Sequence, residues 1–342
     1  VKIVNRRFYD EYFFNLATNF NSATNNSVIY DPLLEKLSSY QPGDIIFCQD
    51  TLTDALVHDK LGLIPDIPVS IVSSVYQPYQ DRYFNNVNWL HAGSDILFQQ
   101  QQYQDLEPVA NKTSRGTHWC CLGLLPRPHR LAVACILLGL DYNRDGIRVD
   151  PGHHNNPSWQ DFWGGSGNMS EQQLDVIETG WKILKTNSLP KHTKRYNVPP
   201  NNNALNFSLN LSQIYTNTAV EIVCETTFFN QGIFVSEKYQ HSVFGFNFPI
   251  ILSNAGTVEY LRVNGFDMFD DIINHDYDLV QDPFQRLWQA ITTNQTILQN
   301  KDLAWHLWHD NKDRLSNNFL FAKHDMYNHF SNKFMCSATN LA

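Results

Sequence analysis

The chain has 342 residues and a mass of 39.5 kDa, more than twice a typical domain of about 150 residues, so two separate cores are expected. Hydrophobic residues at 42% and aromatics at 13% exclude a disordered chain. A net charge of −9 and a pI of about 5.8 argue against sequence-independent nucleic-acid binding, which needs a basic surface to displace counterions. Charged residues reach only 17%, and Asn and Gln together fill about 55 positions instead.

Short apolar strands alternate with amphipathic helices along the chain, which predicts an α/β protein. In the first third, residues 44–48 follow a Pro42-Gly43 turn and read as a buried strand, and 69–75 and 94–98 read as two more. The stretch 99–117 opens with four glutamines and passes through Pro108 and Gly116, so it reads as a linker. The expected division is therefore an N-terminal unit over 1–115 and a C-terminal unit over 116–342, with the last helix able to pack back on the first unit. In the second part, Trp119 to Leu125 is strand-like, Pro126-Arg127-Pro128-His129 is a turn, and Arg130 to Leu140 is a helix. Ser170 followed by Gln173 forms a capping box ahead of a helix whose apolar positions are Leu174, Ile177, Trp181 and Leu184. Residues 197–203 make a Pro- and Asn-rich loop. Ala219 to Cys224 and Phe248 to Leu252 read as strands on either side of a helix from Ser236 to Phe244. A short helix from Thr257 to Asn264 is closed by Gly265, and Asp282-Pro283 opens the next as N-cap and first residue. The tail from Asp302 to Phe334 is aromatic-rich and predicted helical.

The longest apolar run, Leu131 to Leu140, is half the roughly 20 residues a membrane span needs, so no span is expected. The start, Val1 to Asn5, shows no leader pattern. Six cysteines without a C-x-x-C pair suit a reducing compartment, and a cytoplasmic setting is the expectation.

Two stretches carry chemistry. Near the first, a strand ends at Glu225 and, after a loop, Ser236-Glu237-Lys238 opens a helix. A helix N-terminus presents free backbone N–H groups and partial positive charge, which suits a phosphate. Lys238 in the first turn opposes the helix dipole, a local cost that an adjacent anion would offset. Glu237 suits the vicinal hydroxyls of a ribose. The plain alternative is a Ser N-cap beside a solvated Glu-Lys pair. The second stretch is Leu125-Pro126-Arg127-Pro128-His129-Arg130, which places two guanidinium groups between a strand and a helix.

The run from Glu225 through Phe234-Val235-Ser236-Glu237-Lys238 to Phe248-Pro249-Ile250-Ile251 resembles the donor-binding motif of GT-B α-1,3-fucosyltransferases. The continuation, Gly256 to Leu261, Gly265 to Phe269 and Asp276-Tyr277-Asp278, is similar to glycosyltransferase-like proteins of phages and marine microbes. Where the fucosyltransferases have Asn-Ser after the upstream Glu, this chain has Thr226-Thr227, and the gap to Glu237 is longer. The resemblance implies a GT-B-like fold of two Rossmann-like domains facing a cleft. It implies a glycosyltransferase of hexosyl or fucosyl type, moving a sugar from a nucleoside-diphosphate sugar to a glycan or other hydroxyl-bearing acceptor. It further implies metal-independent, inverting chemistry without a cofactor. Glu225, Ser236, Glu237 and Lys238 would hold the donor, with Arg127 or Arg130 on its diphosphate. The Glu-x7-Glu pair of many retaining GT-B enzymes is absent.

A base for the acceptor hydroxyl is expected in the N-terminal unit, where Asp50, Asp54 and His91 lie near the ends of predicted strands. Asp276 and Asp278 fit the D-x-D pattern of metal-dependent GT-A enzymes, and this is the alternative reading. A sugar-binding module without turnover is another. His306 with His309 and the Gly164 to Gly167 run are weaker candidates for zinc and phosphate, respectively.

Overall fold

The computed structural model describes residues 28–30, 45–48, 69–73, 87–91, 105–113, 117–122, 127–142, 146–149, 169–186, 207, 211–226, 228, 232–326, 328–330 and 332. The chain divides into two compact units, one of Val1–Gln101, Asn230–Val235 and His324–Ala342, the other of Gln102–Phe229 and Ser236–Lys323.

The first unit carries a four-stranded sheet of β1 (Val28–Tyr30), β2 (Ile45–Cys48), β3 (Val69–Ser73) and β4 (Val87–His91), in spatial order 1-2-3-4. All three pairings are parallel, with Ile29 opposite Ile46, Ile46 opposite Ile71 and Ile71 opposite Trp89. Strands such as Ile-Ile-Phe-Cys are apolar at successive positions, a pattern common in parallel sheets.

The second unit is also built on a parallel sheet, of β5 (Trp119–Leu122), β6 (Gly146–Val149), β7 (Val220–Cys224) and β8 (Phe248–Leu252), in spatial order 6-5-7-8. Helix α1 (Pro128–Gly139) lies between β5 and β6 in the chain, followed after β6 by α2 (Glu171–Thr186) and α3 (Ser212–Tyr215). Helix α4 (Glu237–Phe244) connects β7 to β8. Beyond β8 come α5 (Thr257–Val263), a 3-10 turn at Asp276–Leu279, α6 (Pro283–Thr292), α7 (Gln295–Gln299), α8 (Lys301–Asp310) and α9 (Lys312–Leu320). Both units are built on parallel sheets, and in the second the strands alternate with helices in the Rossmann-like manner. Strand order 6-5-7-8 means the chain steps from β5 to one side and then returns to the other, so β5 and β7 flank the point where its direction reverses.

Local chemistry explains the helix boundaries. Ser170 and Gln173 exchange hydrogen bonds, Ser170 N to Gln173 Oε1 at 2.9 Å and Gln173 N to Ser170 Oγ at 3.2 Å, as the capping box predicts. Asp282 accepts from Gln285 N at 2.8 Å and Pro283 takes the first helical position of α6. Gly265, at φ +99, supplies the left-handed residue that stops the chain after α5. Pro249 sits in β8, the edge strand of its sheet, where a missing N–H is tolerated.

Two outcomes differ from the sequence expectations. Strands β1, β4 and β6 are not among the expected ones: β1 is only three residues long, and β4 and β6 mix polar and apolar side chains; the expected strand 94–98, the loop 197–203 and the Gly164 to Gly167 run lie outside the described residues. The stretch read as a linker is, over 105–113, fastened to the second unit. Val109 N donates to Phe244 O and Thr113 N to Thr216 O, each at 2.9 Å. Lys112 is half-buried, its ammonium donating to Thr218 O at 2.5 Å, Asn247 Oδ1 at 2.6 Å and Phe246 O at 2.9 Å. Burial pushes its pKa well down.

Beyond His129 and Arg130 in its first turn, helix α1 is apolar all round, and it is buried along almost its whole length, as a helix covered on every side must be. It meets α2 backbone to backbone. A Cβ on Gly180 would lie 1.8 Å from Cys135 O, and one on Gly139 would lie 2.1 Å from Val176 O. Neither obstacle is a flexible side-chain end, so the helices must separate to admit a methyl group. Gly180→Ala is therefore expected to destabilise the protein by about 1–3 kcal/mol or more, despite the better helix propensity of alanine. Urea unfolding checks this, and an unchanged or higher midpoint would contradict the close crossing.

Candidate functional site

Glu225 follows the last residue of β7 and is fully buried. Its Oε2 accepts from Ser236 N at 3.1 Å, from the Ser236 hydroxyl, and from Thr226 N at 3.3 Å, while Oε1 has no hydrogen-bond partner. Burial raises its pKa, with Lys238 and the Ser236 bonds pulling the other way. A buried carboxylate without donors is costly, and here the donors come from the start of α4. Ser236 in turn caps that helix, its Oγ accepting from Lys238 N at 3.3 Å.

The Lys238 ammonium donates to Glu237 Oε1 at 2.6 Å and to Thr226 Oγ1 and Ser236 Oγ at 3.1 Å each. Partial burial works to raise the Glu237 pKa, but Lys238 outweighs it and holds this carboxyl at about 2. Thr226 is the junction. Its carbonyl accepts from Arg127 Nη1 at 2.9 Å while its hydroxyl accepts from Lys238. Arg127 is the N-cap residue of α1 and is half-buried. Desolvation and the neighbouring Arg130 both lower its pKa without threatening its charge.

Arg130 differs from Arg127. It is 5% exposed, and its Nη2 donates to Cys224 O and Glu225 O at 3.3 and 3.4 Å, whereas its Nε has no partner. His129 lies beside it, Nε2 donating to Glu225 O at 3.0 Å. Burial, with Arg130 adding repulsion, takes this imidazole down to about 3, so it is neutral and carries the proton on Nε2.

All six sequence-derived donor residues, Arg127, Arg130, Glu225, Ser236, Glu237 and Lys238, therefore meet at the carboxyl ends of β5 and β7. In open α/β sheets this reversal point is where the chain diverges to leave a crevice and where ligands bind. Thr226 and His129 belong to the same cluster although neither stood out in the sequence; the Pro-His-Arg turn was the single hint for His129. Of the base candidates, His91 is the last residue of β4, at the carboxyl end of its strand. Asp50 and Asp54 lie outside the described residues.

The D-x-D carboxylates face different tasks. Asp278 is buried, and its Oδ2 accepts from Val258 N and Glu259 N at 3.1 and 3.2 Å, capping α5. Asp276 is exposed and its Oδ2 accepts from Asn274 Nδ2 at 3.3 Å. Both line a separate cleft of about 480 Å³, together with Glu259, Arg262 and Asp270, which is spanned by Arg262 bonds to Glu259 and Asp270. Among the described residues no three His, Cys, Asp or Glu side chains are placed to share a metal ion. His306 pairs with Asp310 at 3.2 Å on an exposed face, while the His309 ring stands edge-on to Trp308 at 5.1 Å.

No protein-family model and no curated protein matches the chain. Solved structures similar to it include one described as trehalose-6-phosphate from E. coli bound with UDP-2-fluoro glucose, at 12% identity and a TM-score of 0.38, covering 100% of this chain and 81% of that one. A UDP-forming α,α-trehalose-phosphate synthase from Burkholderia xenovorans is 12% identical with a TM-score of 0.37, covering 99% and 80%. The N-terminal domain of a Candida albicans trehalose-6-phosphate phosphatase is 10% identical with a TM-score of 0.37, covering 99% and 77%. No helix of the described residues is long and apolar enough to cross a membrane.

The Glu237–Lys238 pair makes a pH prediction. A carboxyl held near 2 in the fold and near 4.3 in the unfolded chain stabilises the fold above the unfolded value, and loses that contribution as pH falls through 2. Glu237→Gln should be less stable than the parent at pH 6, with the gap closing between about pH 4.5 and 2. A gap independent of pH in urea titrations would contradict the ion pair.

Proposed function

We propose that the chain is a GT-B-type glycosyltransferase whose second unit binds a nucleoside-diphosphate sugar and passes the sugar to an acceptor hydroxyl. The convergence of Arg127, Lys238 and the first turn of α4 at the β5/β7 reversal point supports this most directly. These are two cations and a helix N-terminus on an otherwise acidic chain, joined through Thr226. Glu225 and Glu237 beside them are acceptors suited to sugar hydroxyls rather than to phosphate oxygens.

Transfer forms a bond from the acceptor oxygen to the anomeric carbon as the bond from that carbon to the diphosphate oxygen breaks. The bonding pair leaves with the diphosphate, so negative charge grows where Arg127 and Lys238 stand. Fixed cations aimed at developing charge lower the barrier without a metal ion, and Arg130 adds a buried positive charge behind them. The acceptor proton passes to a base, for which the sequence offers Asp50, Asp54 and His91 as candidates. We favour inversion, by direct attack, because the chain lacks the Glu-x7-Glu pair.

Isothermal calorimetry with UDP- and GDP-sugars tests the reading. One of them is expected to bind equally well with Mn²⁺ or with EDTA, and Lys238→Ala should weaken it about 10–100-fold, the worth of a charge-assisted hydrogen bond. Binding that needs Mn²⁺ and is lost in Asp278→Asn would favour the metal-dependent alternative. Binding without hydrolysis or transfer over an acceptor panel would mark a sugar-binding module instead.

A further inference from the structure

We infer that Arg286 is a positioning residue for the donor site, acting through Phe228 and His129 on the backbone that holds Arg127 and Lys238. The inference rests on the donor-site reading above.

Arg286 lies in the first turn of α6 and is 4% exposed. Its guanidinium donates from Nε to Ser253 O at 3.0 Å and from Nη2 to Phe228 O at 2.9 Å. Nη1 donates to Val280 O at 2.6 Å and Gln281 O at 3.3 Å. One side chain thus ties the loop leaving β7, the loop leaving β8 and the turn before α6. All four acceptors are backbone carbonyls, so none of its hydrogen bonds goes to a carboxylate. Burial lowers its pKa to about 10, with Asp278 and Asp282 partly opposing, and it stays a cation at neutral pH.

The link to the site is a stack. The guanidinium carbon stands 4.8 Å from the centre of the Phe228 ring. That ring stacks on His129 at 5.0 Å and 16°, and His129 Nε2 donates to Glu225 O. Glu225 and Thr226 are therefore held at both ends: by Ser236 at the carboxylate, and by His129, Phe228 and Arg286 along the loop. Thr226 is where Arg127 and Lys238 attach. A rigid loop spaces the two cations for one diphosphate, and a loosened one would let them drift. Misplacement of about 1 Å costs as much as a hundredfold where geometry is demanding. A lysine keeps the charge but lacks the planar fork that reaches three loops at once.

The test uses the whole 342-residue chain and the diphosphates UDP and GDP themselves, titrated by calorimetry at a temperature where each variant is folded by circular dichroism and at least about 20 °C below its own midpoint. Arg286→Lys is expected to weaken whichever diphosphate the parent binds by about tenfold or more. Phe228→Leu, which removes the ring but not the carbonyl bonds, should weaken it several-fold and guards against failure of the first variant to fold. Arg314→Lys disturbs an arginine bound to Asp267 and Asp271 instead and should bind like the parent. If both test variants have lower midpoints but parent-like affinity when folded, Arg286 is only structural and the inference is overturned. If that happens while Lys238→Ala still loses binding, the donor-site reading survives. If the parent binds neither diphosphate, the reading fails and takes the inference with it.

Discussion

The buried carboxylate of Glu225, held by the backbone and hydroxyl of Ser236, is the contact on which the site depends. It spans eleven positions of sequence and fixes where α4 begins relative to the end of β7. Without donors this carboxylate would cost several kcal/mol in desolvation, so the helix start is the solvating shell that water would otherwise be. One oxygen is satisfied and the other is left bare.

Charge around that contact is arranged in layers. Lys238 and Arg127 are half-buried, Arg130 and Arg286 are buried behind them, and Glu237 offsets Lys238 at contact distance. Arg286 has Asp278 and Asp282 near it, but Lys238, Arg127 and Arg130 around Glu225 and Glu237 leave a positive excess on a chain whose total is −9. An anion entering here meets side chains already held, so little ordering entropy remains to be lost. The same logic applies to the loop of Thr226, which the Phe228 stack braces from behind.

How legible this was differs by residue. The Ser170–Gln173 box, the Asp282-Pro283 start and the Ser236 cap are local, since each side chain reaches a backbone group two or three residues away. Strands β7 and β8 are apolar enough to read directly. By contrast β4, Val-Asn-Trp-Leu-His, is interrupted by polar side chains, and β6, Gly-Ile-Arg-Val, is too short for a period to show. The 6-5-7-8 order depends on pairing between distant strands, and no local pattern encodes it. Arg286 and His129 escaped notice for a related reason. Their partners are carbonyl oxygens, which every residue has and which leave no trace in sequence. The D-x-D pair shows the reverse, a spacing that looked like chemistry but in which one carboxylate caps a helix.

A crystal structure of the chain with its bound nucleoside diphosphate tests the central claim most directly. The phosphates should lie between Arg127 and Lys238 at the first turn of α4, with a ligand hydroxyl or water on Glu225 Oε1. Density for the nucleotide in the acidic cleft beside Asp270 and Asp276, with the α4 start unoccupied, would contradict it.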